Sequence, residues 1–299
     1  MADVHHLIVS RGIEEARQSA ITKHDRRLVE AAYSVLSEET DRLGFTHAGF
    51  ALTSLPHKAT REDVWRKEGH NLTLLVETGR DRQGKAVGIP YGSLARLILL
   101  YLQTEAIRTN SPEVELGRSM RVWLGSMGLS IGGATYKLVS EQARRISACR
   151  LTFLADSGAM ELRRNGAFVD TAISVRDIIG DQPRLWQDTV VLNAEFYRSL
   201  KEHPVPVSEA ALRAIGTRSA ALDVYIWLCY RLHALSARKP ITWAALYSQF
   251  GGGFKLQRKF RGHFIECLQI ALAAYPDAQV TVDERGIVLH PSRPAVGKL

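Results

Sequence analysis

The chain has 299 residues, 45% hydrophobic and 23% charged, which is room for about two domains of roughly 150 residues each and excludes a disordered, tail-like chain. Lys and Arg number 39 against 31 Asp and Glu, and the resulting formal charge of +8 attracts polyanions such as nucleic acid or an anionic membrane surface. Three widely spaced cysteines, Cys149, Cys229 and Cys267, are too few for a disulfide framework or a zinc ligand set. They point to a reducing interior in which they serve as small buried hydrophobes.

No apolar run reaches the ~18 residues of a membrane span, because Arg96, Gln103 and Glu105 break one candidate and Arg231 and His233 the other. Met1 to Arg11 lacks a basic start, a long apolar stretch and a small-residue cleavage site, so it is no secretory signal. The expected location is cytoplasmic, without a membrane partner.

In chain order, the first 60 residues are expected to be an exposed arm leading into a helix from about Asp25 to Ser37, where Leu28, Ala31, Ala32, Val35 and Leu36 repeat at helical spacing. Asn71 to Thr78 is strand-like, and the loop Gly79 to Lys85 leads to Ala86 to Ile89, which predicts a hairpin. Tyr91 to Ile107 is a core helix with Arg96 and Gln103 on its wetter side. A short helix through Met120, Val122, Trp123 and Leu124 follows, and then a turn, Met127 to Gly133, that ends in a double glycine. A second helix, roughly Ala134 to Cys149, carries Leu138, Val139, Gln142 and Ile146 on one side and Lys137, Ser140, Glu141 and Arg144 on the other. Strands at Arg150 to Ala155 and Met160 to Arg164 flank the turn Asp156-Ser157-Gly158.

Thr171 to Gly216 reads as a connector, with Val190 to Leu192, a helix-like Asn193 to Leu200 and the rigid turn His203-Pro204-Val205-Pro206. Thr217 to Leu235 is a long buried helix that Lys239-Pro240 breaks, and Thr242 caps a short helix bearing Trp243, Leu246 and Phe250. After Gly251-Gly252-Gly253, a helix from Phe254 to Ala274 sets Leu256, Phe260, Phe264, Leu268, Ala271 and Leu272 against Lys255, Arg258, Lys259 and Gly262. Ala278 to Val282 and Gly286 to His290 form a hairpin, and Pro291 to Leu299 a frayed tail.

Trp-bearing helix, glycine turn, basic helix and hairpin thus occur twice, offset by about 120 residues from Trp123 to Trp243. The expected class is α+β, with two tandem winged-helix domains, mainly helical with small hairpin wings. A single α+β domain whose elements happen to recur is the alternative. The expected division is an arm at 1–60, a first domain at 61–180, a connector at 181–216, a second domain at 217–291 and a tail at 292–299.

A helix that enters the major groove needs an apolar face toward its domain and a cationic, sterically open face toward phosphates and base edges. Lys255, Arg258 and Lys259 supply the charge, Gly262 allows close approach, Arg261 lies toward the flank, and Gly253 closes a triple glycine that leaves first-turn N–H groups free for a phosphate. Lys137, Ser140 and Arg144 are the corresponding candidates in the first module, where Glu141 interrupts the charge. Arg163 and Arg164, and Arg285, lie on the hairpins, from which a wing could reach the backbone or the minor groove. The alternative for each of these side chains is an ordinary solvated surface.

Enzymatic signatures are missing. The triple glycine lacks the G-x-x-x-x-G-K-[ST] order of a phosphate loop, and there is no H-E-x-x-H or G-x-S-x-G. No cofactor, metal site or catalytic residue is expected. His263, Glu266 and Cys267 read as surface or packing residues, and Trp123, Trp227 and Trp243 as core anchors.

The run Trp243-Ala244-Ala245-Leu246-Tyr247-Ser248-Gln249-Phe250-Gly251-Gly252-Gly253-Phe254-Lys255, followed by Arg258-Lys259-Phe260, Phe264, Tyr275-Pro276-Asp277-Ala278 and Gly286 to Ser292, resembles the C-terminal signature of the RepA-type plasmid replication initiators of Gram-negative bacteria. Gly88-Ile89-Pro90-Tyr91-Gly92 and Gly132-Gly133 are similar to the same family. The resemblance runs from about Leu72 onward and is strongest after Leu222. It implies tandem winged helices that bind double-stranded origin DNA at direct repeats (iterons), open an adjacent AT-rich region, and load the host replicative helicase with the host initiator, without ATPase activity. Homodimerisation is left open. A transcriptional regulator with the same modules and no initiator role is the competing expectation, and a nicking nuclease needs a carboxylate or histidine cluster that the sequence does not offer.

Overall fold

The computed structural model describes residues 4–38, 42–115, 122, 124, 125, 127–129, 132–155, 162–169 and 189–296. They fall into two compact units, Met1–Gly44 with Val205–Leu299, and Phe45–Pro204.

Strand β1 (Leu43–His47) leads into the unit Phe45–Pro204, where helix α4 (Ala48–Leu52) is capped by His47, whose ring Nδ1 accepts the Gly49 N–H at 2.9 Å. Strands β2 (Val64–Glu68) and β3 (Leu72–Glu77) form a hairpin, and β3 pairs in turn with β5 (Arg150–Ala155), which pairs with β6 (Leu162–Ala167). The sheet is antiparallel in the order β2-β3-β5-β6. The hairpin therefore forms on the N-terminal side of β3, where the expected one lay on the C-terminal side. The segment Gly79 to Ala86 closes instead as a loop, with an Arg80–Ala86 bridge and the Asp81 carboxylate accepting the N–H groups of Gln83 and Lys85.

Helix α5 (Gly92–Arg108) is buried on nearly all sides. Arg96 and Gln103, expected on a wetter side, are 5% and 0% exposed. They are interior because they serve backbone groups that would otherwise be orphaned. The Arg96 guanidinium donates to the carbonyls of Leu55, Pro56 and Gly92, and the Gln103 amide accepts from the His47 N–H at 2.7 Å while donating to the Leu99 carbonyl. Helix α6 (Gly133–Ala148) packs on α5, strands β4 (Glu113–Glu115) and β7 (Thr189–Val191) pair, and α7 (Ala194–Glu202) completes the unit. Met120, Trp123 and the turn Asp156-Ser157-Gly158 lie outside the described residues.

The other unit opens with α1 (Val4–Arg11), α2 (Ile13–Ser19) and α3 (Lys23–Leu36). These are no exposed arm. Ile8, Ala16, Ala20, Val29, Ala31 and Ala32 form one cluster with Ala273 of the C-terminal segment. Small side chains let three short helices pack closely there. Helix α3 starts where its chemistry requires: the Thr22 hydroxyl accepts the Asp25 N–H, and Asp25 returns the bond to the Thr22 N–H.

Strand β8 (Pro204–Ser208) and helix α8 (Glu209–Ile215) bury Val207, Ala211 and Ile215 completely, so this half of the expected connector is core. Helix α9 (Ser219–Leu232) is the central apolar helix, with Trp227 edge-on to Phe250 at 5.4 Å. Then come β9 (Lys239–Thr242), α10 (Trp243–Phe250), α11 (Gln257–Ala273), β10 (Val280–Val282) and β11 (Gly286–Leu289), the sheet order being β10-β11-β9. Lys239-Pro240 was expected only to break a helix. It also starts an edge strand, a position where proline's missing N–H costs no ladder bond. The tail is tied rather than frayed as far as Val296, which is 4% exposed, and the Tyr275 hydroxyl donates to the Arg293 carbonyl. Among the described residues no helix is long and apolar enough to cross a membrane.

Candidate nucleic-acid interface

Helix α11 owes its orientation to one face. Phe260, Phe264, Leu268 and Ala271 are at most 2% exposed and dock on α9 and α10, with Phe264 packed against Trp243 and Phe250. Burial of each aromatic contributes roughly 1.5–3 kcal/mol. The opposite face is then obliged to face outward: Arg258, Lys259, Gly262, His263 and Glu266 are all exposed on one helical face, and Lys255, just before the N-cap, is exposed beside them. Among the described residues no carboxylate pairs with Lys255, Arg258 or Lys259. A methyl group placed on Gly262 would meet no atom within 4 Å.

Two details differ from expectation. Leu256, expected on the apolar face, is 56% exposed because it is the N-cap; its carbonyl accepts the N–H groups of Lys259 and Phe260. The helix starts at Gln257, not Phe254, so the triple glycine does not form its first turn. Gly251 closes α10 through its N–H to the Tyr247 carbonyl at 2.8 Å, and a Cβ there would lie 2.4 Å from that same oxygen. The Phe254 N–H bonds to the Gly251 carbonyl, Tyr247 donates its hydroxyl to the Phe254 carbonyl, and the Phe254 ring packs on Phe260 and His263. Gly253 sits at φ +94° in open space, where it turns the chain toward Lys255.

The β10–β11 turn is built rather than loose. The Asp283 carboxylate accepts the N–H groups of Arg285 and Gly286, at 2.7 and 2.8 Å. The Asp283 carbonyl accepts from the Trp243 indole and the Arg261 guanidinium, both at 3.3 Å. Arg261 also lies over the Trp243 ring at 4.7 Å. It is half-buried and joins α11 to the hairpin, a bracing role that its position in the sequence did not signal. Arg285 stands exposed at the hairpin tip, without a side-chain partner among the described residues.

In the other unit, α6 shows Lys137 and Arg144 exposed and Ser140 half-buried. Leu138, expected on the apolar side, is 48% exposed, whereas Val139, Gln142, Ala143 and Ile146 face inward. Glu141 does not oppose the neighbouring cations as sequence order suggests, because Arg145 draws its carboxylate to 2.6 Å. Arg145 also donates to the Ile89 carbonyl at 2.9 Å and lies over the Tyr91 ring, while the Gln142 amide oxygen accepts the Tyr91 N–H. The Gly88 to Gly92 segment is thus docked on α6, with Gly88 at φ +98° and so close to Arg145 that a Cβ would lie 2.3 Å from Nη1. Sequence reasoning missed Arg145; the i,i+4 pairing with Glu141 was the available signal. Arg163 and Arg164 pair through their backbones with Leu154 and Phe153, so they lie on β6, the edge strand of the sheet and the second strand of the β5–β6 hairpin. Their side chains lie outside the described residues.

Among the described residues no three His, Cys, Asp or Glu side chains cluster as a metal site would require. Burial pushes the thiols of Cys149, Cys229 and Cys267 up to about 12, which leaves almost no thiolate at neutral pH.

The comparisons with known proteins bear on the family and the fold. Residues 89–245, more than half of the chain, match the family described as plasmid encoded RepA protein, and the chain belongs to this family of plasmid replication proteins. The match opens in the Gly88 to Gly92 segment and closes at Ala245, short of the glycine turn and α11. A crystal structure of domains 2 and 3 of RctB is similar in fold, with a TM-score of 0.52 at 11% identity, covering 90% of this chain and 99% of that one. A second RctB structure, of domains 2–3, gives a TM-score of 0.43 at 11% identity over 80% of this chain and 93% of that one. No curated protein matches the sequence.

Proposed function

We propose that the chain is a plasmid replication initiator that binds double-stranded origin DNA at iteron repeats through two winged-helix modules, at 61–180 and 217–291. In this reading α11 and α6 present Lys255, Arg258, Lys259, Lys137, Ser140 and Arg144 to successive major-groove segments. The β10–β11 turn carries Arg285 toward the flanking backbone, Arg163 and Arg164 do the same in the first module, and Arg261 braces the second wing. Origin opening and recruitment of the host helicase and host initiator follow from binding, without covalent chemistry by this chain.

The observation that carries the reading is the outward face of α11 with the residue before its cap: Arg258, Lys259 and Gly262 on one helical face and Lys255 ahead of Leu256, the cations having no carboxylate partner among the described residues. A cation left unpaired on a surface is cheap in water, and it gains energy when it displaces counterions from phosphates. Phosphate contacts supply most of the affinity, so binding weakens by roughly a thousandfold or more between 50 and 200 mM salt for six or more contacts. Arg258→Ala, tested in a shift assay on the repeats beside the gene, is expected to lose about 1–3 kcal/mol and relax one position of the site. The same variant is expected to lower retention of a plasmid carrying that origin. Unchanged binding removes Arg258 from the interface. Normal DNA binding together with undisturbed plasmid retention after disruption of the gene favours a transcriptional regulator instead.

A further inference from the structure

In the same unit as α11, an open cleft of about 460 Å³ lies between α3 and the segment that joins α8 to α9. Lys23, Arg26, Arg27 and Arg218 line it, together with Ser34 and a single acid, Glu30. That acid is already spent. Both Glu30 oxygens accept from Arg17, at 2.8 and 3.1 Å, and this pairing holds the carboxyl below its usual range. Four cations therefore surround a space with no free carboxylate on its lining.

Arg26 reaches only the Ala20 carbonyl, at 3.4 Å, and Arg218 only the Ile215 carbonyl, at 2.8 Å; Arg27 and Lys23 have no side-chain partner among the described residues. Burial, and after it the charge of Arg27, depress the Arg218 guanidinium, and an anion in the cleft would favour its charged form. The lining holds no aromatic ring to stack a base and no amide to read one. Guanidinium forks, an ammonium and a hydroxyl are the donor set that fits tetrahedral phosphate oxygens.

We propose that this cleft is a phosphate-binding site, its ligand either a backbone phosphate of bound DNA or a free phosphoanion. For the backbone source it rests on the DNA-binding reading above; for the free anion it stands independently.

The test uses the full chain. Pyrophosphate is titrated by calorimetry at low salt, and duplex DNA affinity is measured across a salt series. Both are done for the wild type, for Arg27→Gln and for the Arg27→Gln/Arg218→Gln pair. Arg27 is exposed, so the single variant is informative even if loss of the Arg218–Ile215 bond unsettles the double. A Lys255→Gln/Arg258→Gln/Lys259→Gln chain serves as the control. Pyrophosphate binding that falls at least tenfold in the cleft variants, yet persists in the control, identifies a free-anion site. A salt slope that falls by about one in the single variant and about two in the double identifies backbone phosphates as the ligand. Folded cleft variants that match the wild type in both measurements overturn the proposal. A wild type that binds no DNA ends the initiator reading, and the cleft then stands or falls on pyrophosphate alone.

Discussion

Gly262 shows how one residue separates a demand of the fold from a demand of a partner. A glycine in a helix interior costs about 0.5–1 kcal/mol relative to alanine. At Gly251 the backbone of Tyr247 explains the absence of a side chain, whereas at Gly262 nothing among the described residues does. Gly262→Ala is therefore expected to raise the melting temperature by about 2–4 °C per kcal/mol gained, and at the same time to weaken duplex binding. A stabilised variant that binds DNA as the wild type does would show that no partner approaches the helix there. Sequence placed Lys255, Arg258, Lys259 and Gly262 on one stripe because a helix's period fixes which positions share a face; Arg258, Lys259 and Gly262 keep that face, while Lys255 lies before the N-cap Leu256. Sequence left Arg261 on the flank without a role, because the Asp283 carbonyl and the Trp243 ring come from segments some 20 residues away in either direction.

Single elements were legible in proportion to the strength of their apolar period. Helices α5, α6, α9 and α11 were found close to their observed bounds. Strands β2 and β9 were not: Val64 to Glu68 carries three charges in five residues, and β9 contains Pro240. Of the three N-terminal helices, α3 was expected close to its observed bounds, whereas α1 and α2 were concealed for a different reason, since Ile8 and Ala16 are the residues they bury and a single buried position per helix marks no face. Within α6 the charges divide by task. Arg145 is tied to Glu141 and the Ile89 carbonyl, while Arg144 is exposed. Arg145→Ala leaves a carboxylate and a half-buried carbonyl unpaired and is expected to cost roughly 1–3 kcal/mol in urea unfolding. Arg144→Ala is expected to stay within about 0.5 kcal/mol in unfolding but to weaken DNA binding. Equal effects of the two on unfolding would mean that the Gly88 to Gly92 segment is not held by Arg145.

For the whole molecule, composition gave a net positive charge before any element was known, the family match gives a plasmid replication protein, and the fold is similar to that of RctB domains 2 and 3. What sequence could not supply was the grouping of Met1–Gly44 with Val205–Leu299, because contacts between residues more than 200 positions apart leave no local pattern. That grouping places the cationic cleft and α11 in one unit. The central claim is that Lys255 and the charged face of α11 meet duplex DNA. Its most direct test is the salt dependence of origin-repeat binding by a Lys255→Ala/Arg258→Ala/Lys259→Ala chain beside the wild type. With about 0.9 of a counterion released per phosphate neutralised, the slope is expected to fall by roughly two to three, with affinity lost at every salt concentration. A triple variant that is folded and keeps the wild-type slope and affinity would contradict the account.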